Sequence, residues 1–125
     1  MARDVAYVAV GGAIGAVLRY VLGTWIIERT GAGFPWHTMV INVSGAFLIG
    51  MLMALSLEKG VVSGDWRIFL GTGVLGGFTT FSTLSYESIA LMERGLLGAG
   101  LANMFGSGAA GLIAAWLGIV LVRAI

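Results

Sequence analysis

The chain has no cysteine, a single proline (Pro35), a single histidine (His37), and charge on only 10% of its 125 residues. Without thiols there is neither a disulfide nor a thiolate metal site, and the composition carries no trace of redox compartment. The shortage of charge is more decisive. Soluble domains carry charge on about a quarter of their residues. A chain that is 58% hydrophobic with a mean hydropathy of +0.98 cannot cover a soluble surface, so it reads as a membrane protein. A net charge of +1 argues against nucleic acid as a partner.

What is present divides into four apolar runs, at about residues 5–27, 36–57, 68–92 and 96–122. Each is long enough for a hydrocarbon core of about 30 Å, which takes about 20 helical residues. Backbone groups in lipid must be satisfied internally, so the runs are expected to be helices forming one transmembrane domain. The breaks between them are "ERTGAGFPWH", "EKGVVSGDWR" and "ERG". Trp25, Trp36 and Trp66 fall near run ends, where aromatic belts belong. With four spans both termini share one side. Arg3, Lys59, Arg67 and Arg123 then stand against Arg29 and Arg94. That excess is weak, as for a chain inserted in both orientations or for a short chain with one orientation.

Glycine is abundant, at 21 residues. Gly11 and Gly15, and Ala102, Gly106 and Ala110, form small-xxx-small faces that serve either packing within the chain or contact between subunits. Four helices leave little protein to enclose a pathway, so an oligomer, most simply a dimer, is expected. "GTGVLG" and "GSGAAG" match G-x-G-x-x-G, but neither follows a strand and both lie within spans, so nucleotide binding is not expected. An enzyme reading has equally little support. His37 beside Trp36 reads as an interfacial residue. Ser82, Thr83 and Ser85 have no nearby base, and Glu87 has no metal-ligand cluster beside it.

Arg19 and Glu87 are ionisable residues inside spans and therefore functional candidates. Asn42 is either an interhelical hydrogen-bond partner or a lining group able to donate to an anion or accept from a cation. The third run contains "GGFTTFSTLSYE", Gly76 to Glu87. Glycine pairs weaken a helix, threonine is stiff in one, and Ser and Thr side chains compete for backbone groups. A break in mid-span is expected there, with a continuous helix packing on its small residues as the alternative. Freed carbonyls and amides at such a break are ion ligands.

These residues carry a resemblance. "GGAIGAVLRYVLG", "TMVINVSGAFLIG", "GTGVLGGFTTFSTLSYE" and, more loosely, "ANMFGSGAAG" resemble the Fluc (CrcB) family of fluoride channels over essentially the whole chain. The resemblance implies an all-α membrane protein of four transmembrane helices with the third broken at mid-membrane. It implies an antiparallel, dual-topology homodimer in the inner (plasma) membrane that passively exports cytoplasmic fluoride. It also implies a structural Na⁺ at the dimer centre held by the Gly76 and Thr79 carbonyls, Asn42 and Phe81 along the pore, and Arg19 at its vestibule. Where the family usually has a second phenylalanine, this chain has Leu84, which lacks a positive ring edge. A pore tyrosine of the family aligns with Asn103, and Ser107 nearby keeps a hydroxyl; Ser82 and Ser85 are further pore candidates. The rival expectation is a small multidrug-type proton-coupled transporter. That chemistry depends on a carboxylate deep in the first span, where this chain has Arg19.

Overall fold

A computed structural model describes all 125 residues, and every regular element is helical. The first helix, Ala2–Thr30, stops at Gly31, whose φ of 78° lies in the left-handed region that favours glycine. The second, Trp36–Met53, begins after Pro35 and runs on through a wide turn, Ala54–Glu58, in which the Lys59 amide donates to the Ala54 carbonyl. The third segment starts where Ser63 caps Gly64–Arg67 and continues through Ile68–Leu75 and Gly76–Phe78; its C-terminal half is Phe81–Glu93. A tight turn at Arg94 and Gly95 leads into the last helix, Leu97–Arg123. Four segments, Ala2–Thr30, Trp36–Glu58, Gly64–Glu93 and Leu97–Arg123, are long and apolar enough to cross a membrane. Each extends somewhat past the apolar run read from the sequence.

The second helix packs chiefly on the fourth, the first on the N-terminal half of the third segment, and that segment's C-terminal half on the fourth helix. Backbone contact makes these pairings. A Cβ added at Gly15 would lie 2.0 Å from the Val74 carbonyl oxygen, and one at Gly118 would lie 2.3 Å from that of Phe47. Gly11 meets Phe69 and Gly73 in the same way, so the Gly11/Gly15 face packs within the chain. Ala102 and Gly106 do not: both are exposed, and the fourth helix buries Gly100, Asn103, Ser107, Ala114, Gly118 and Val122 instead. A one-position rotation of the stripe separates the two faces.

Ion pairs tie the helix ends. Arg3 meets Asp65 at 3.3 Å, and Arg123 meets Glu58 at 2.7 Å, which brings both chain ends beside the loop between the second and third segments. The remaining surface is largely apolar; Val17, Val21, Leu112, Ile113 and Trp116 are among the large exposed side chains, as a lipid-facing exterior requires.

Candidate functional site

Helical dihedrals end at Thr79 (φ −86°, ψ 158°) and resume after Thr80 (φ −151°, ψ 121°). The reasons are local. The Thr79 hydroxyl donates back to the Leu75 carbonyl at 3.0 Å, alongside the Thr79 amide. The Thr80 hydroxyl oxygen accepts from the Thr83 amide at 3.2 Å, a conventional N-cap for the helix that follows.

A residue 38 positions away completes the arrangement. Asn42 Nδ2 donates to the Thr80 carbonyl at 2.9 Å, and Asn42 Oδ1 accepts from the Thr80 amide at 2.8 Å. In a continuous helix that amide would donate to the Gly76 carbonyl, and the Thr83 amide would donate to the Thr79 carbonyl. Both donors go elsewhere, so the Gly76 and Thr79 carbonyl oxygens are released from helix bonding. The next carbonyl, Gly77, accepts from Arg19 Nε at 3.1 Å.

An open groove of about 530 Å³ has Asn42, Gly76, Thr79, Phe81, Leu84 and Ser107 among its lining residues. Six residues singled out from the sequence are thus brought together. Within the groove they differ in kind. Phe81 is 71% exposed and stands free, whereas Leu84 is 7% exposed and mostly serves the core. The Ser107 hydroxyl is buried without a partner.

The other candidates lie apart from the groove. Ser82 is exposed beside the Thr80 hydroxyl, and the Ser85 hydroxyl is spent on its own helix, donating to the Phe81 carbonyl at 2.9 Å. Asn103 is fully buried; its Nδ2 donates to Ser88 Oγ at 3.0 Å, and Ser88 in turn donates to the Leu84 carbonyl. Asn103 therefore braces the third segment against the fourth. Arg19 lines a second cavity, of about 420 Å³, with Tyr20, Thr24, His37, Thr38 and Thr83. Thr80 lines both cavities, so the interruption in the third segment separates them.

One cluster was not legible as such. The Thr38 hydroxyl donates to Glu87 Oε1 at 2.5 Å, and His37 Nε2 lies 3.0 Å from Glu87 Oε2. Glu87 stood out as an intramembrane carboxylate, but its partners lie 49 and 50 positions earlier, and no spacing rule reaches that far. The outer face of this cluster borders a third cavity of about 210 Å³ with Pro35 and Arg94.

Four apolar helical segments define a multi-pass membrane protein in which an interrupted backbone, an amide side chain and an exposed aromatic residue line one groove. The family assignment agrees. Residues 6–119 match the model of the CrcB-like protein family (camphor resistance, CrcB), and the chain belongs to that family. It is 56% identical over 111 residues, 89% of this chain and 87% of the relative, to a fluoride-specific ion channel FluC of Thermus thermophilus. It is 47% identical over 117 residues, 94% of each chain, to the protein of that name in Rhizobium meliloti. A relative of the same name in Geotalea uraniireducens is 46% identical over 123 residues, 98% of this chain and 99% of its own. Membership in this family makes the protein a channel-family membrane protein and not an enzyme.

Proposed function

We propose that the protein is a passive, fluoride-selective channel that exports cytoplasmic fluoride across the inner membrane and thereby limits its toxicity. The observation that carries the reading is 56% identity over 111 residues to a relative named for fluoride, combined with a groove whose polar groups suit a small anion.

Asn42 Nδ2 carries two hydrogens and spends one on the Thr80 carbonyl, leaving the other for an anion. The exposed ring of Phe81 offers its positive edge in the same groove. Fluoride surrenders its water reluctantly, so several modest donors in sequence serve better than one strong site: binding must admit the ion and still release it. Arg19, held against the Gly77 carbonyl, supplies positive charge on the far side of Thr80.

The active unit in this reading is an antiparallel homodimer of chains inserted in opposite orientations. The third segment is interrupted near mid-membrane, and the two interruptions meet at the dimer centre. The released Gly76 and Thr79 carbonyls fit a structural Na⁺ there, since hard monovalent cations prefer oxygen donors and two chains would supply four such carbonyls. When bound, the ion contributes fixed positive charge that holds the two interruptions together.

The test is ion efflux from liposomes loaded with fluoride or with chloride. Fluoride release that greatly exceeds chloride release supports the channel. Equal release, or release that needs a proton gradient, would overturn it in favour of a non-selective pore or a coupled transporter.

A further inference from the structure

We infer that a groove between the start of the first helix and the start of the third segment is a binding site for one phospholipid with a primary-ammonium headgroup. The groove holds about 570 Å³, within the range of sites that take a small ligand, and its lining includes Ser63, Asp65, Trp66, Tyr7, Phe69 and Val10. Both segments are apolar enough to span the membrane, and the groove lies at their charged ends, where Arg3 meets Asp65. Val10 stands seven residues beyond Arg3, about 10 Å further along the first helix at 1.5 Å per residue. The groove therefore descends from the level of lipid headgroups into the hydrocarbon. Trp66 stands exposed at its mouth, in the position that amphipathic rings take at that boundary. Val10 is exposed at its lower end, which leaves an apolar trough for an acyl chain.

The mouth carries a pair of opposite charges, neither of them buried. Arg3 Nη2 donates to Asp65 Oδ1 at 3.3 Å, and the Arg3 guanidinium lies 6.0 Å from the centroid of the Tyr7 ring, which keeps it at the rim. That single contact leaves each partner unfinished. A guanidinium has five N–H donors and spends one here, and Asp65 Oδ2 is left free to accept. A phosphate linked to a primary ammonium complements the pair: the phosphate takes spare donors of Arg3, and the ammonium donates to Asp65 Oδ2. No lysine or arginine lines the groove itself, so an anionic headgroup without an amine would set its charge against Asp65. A quaternary ammonium has no N–H for the carboxylate. Nor do the rings cage one: Trp66 and Phe69 stand 79° apart with centroids at 5.7 Å, edge against face, so one ring's face is already covered.

The experiment is native mass spectrometry of the purified protein in detergent, after addition of equimolar phosphatidylethanolamine, phosphatidylcholine and phosphatidylglycerol with matched acyl chains. One phosphatidylethanolamine per chain should be retained, about tenfold over either rival, the effect of one hydrogen bond to a charged group. The same lipid with brominated chains should quench part of the tryptophan fluorescence, and Trp66→Phe should remove that part. Asp65→Asn keeps the shape of the mouth but frees Arg3, so it should reverse the order, with phosphatidylglycerol retained best. Val10→Trp fills the trough and leaves the charged pair intact; it should lower retention of all three lipids. Equal retention of the three lipids by the parent, the mark of an unselective lipid belt, overturns the inference, as does a parent preference for either rival. An Asp65→Asn protein that keeps the parent's order overturns it too. Gel filtration establishes folding of each variant, and Asp65 and Val10 are probed separately, so either variant alone decides. None of these outcomes depends on whether the protein conducts fluoride.

Discussion

Asn42 occupies both backbone hydrogen-bonding groups of Thr80, with Nδ2 2.9 Å from the carbonyl oxygen and Oδ1 2.8 Å from the amide nitrogen. One side-chain amide thus replaces what a regular helix would have supplied to that residue. It also holds the second helix at a fixed height against the interruption in the third segment. Asn42→Ala leaves both groups part-buried and unpaired, at about 1–3 kcal/mol for each unsatisfied group. We expect a lower thermal midpoint in detergent together with loss of fluoride efflux. Asn42→Asp keeps the acceptor for the Thr80 amide but sets a carboxylate against its carbonyl and against any anion. It should lose efflux out of proportion to its loss of stability. An Asn42→Asp protein that conducts like the parent would remove Asn42 from the pathway.

Phe81 and Leu84 invite opposite substitutions. Phe81 is 71% exposed and lines the groove, so Phe81→Ile removes a ring edge without opening a cavity in the core. Fluoride efflux should fall to a small fraction of the parent's while the gel-filtration profile is unchanged. Parent-like flux would mean that the ring edge is not an anion station. Leu84 is 7% exposed, so Leu84→Phe inserts a larger ring into packed surroundings at a cost of about 1–3 kcal/mol. A drop in thermal midpoint, read before any flux measurement, checks this; an unchanged midpoint would show that the ring turns into the groove.

Glycines at two positions should separate folding from assembly. A Cβ at Gly76 would meet nothing nearer than the Gly71 carbonyl oxygen at 3.7 Å, so the chain itself tolerates a side chain there. Gly76→Val should therefore fold as a monomer yet lose the dimer and any response of activity to Na⁺. Gly15→Ala drives a methyl group to within 2.0 Å of the Val74 carbonyl oxygen and should fail to accumulate as folded protein. Cross-linking in membranes reads both results. A Gly76→Val dimer with Na⁺-dependent flux would rule out the carbonyl site.

Orientation follows from charge at the helix ends. Arg3, Lys59, Arg67 and Arg123 face Arg29 and Arg94 across the membrane, and Arg3 and Arg123 are each paired with a carboxylate. A four-to-two excess is weak enough to permit insertion both ways. Accessibility of a C-terminal tag from each side of the membrane should reveal two populations of comparable size. A single population would exclude the dual-topology homodimer.

Adding charge should break that balance. Two lysines introduced in the loop between residues 30 and 36 should bias insertion toward one orientation and reduce efflux unless an oppositely biased variant is co-expressed. Retained activity of the biased chain alone would show that opposed insertion is not needed.

Composition alone was enough to place this chain in a membrane, because 10% charge cannot clothe a soluble surface and the apolar runs have the length a bilayer demands. Local chemistry was enough to mark the Gly76–Thr80 stretch as a poor helix, since that penalty arises within a few bonds of each residue. Spacing was enough to pick out the Gly11/Gly15 face, but not to tell it from the Ala102/Gly106 stripe. Only packing decided that the first is covered and the second free. The site itself came from tertiary structure. Asn42 reaches Thr80 across 38 positions, Thr38 reaches Glu87 across 49, and Arg19 reaches Gly77 across 58. A helix correlates side chains over three or four residues; beyond that, partnership depends on which helices lie side by side and at what height. In this protein those heights are set by backbone contacts at glycines, which allow one register and exclude its neighbours by collision.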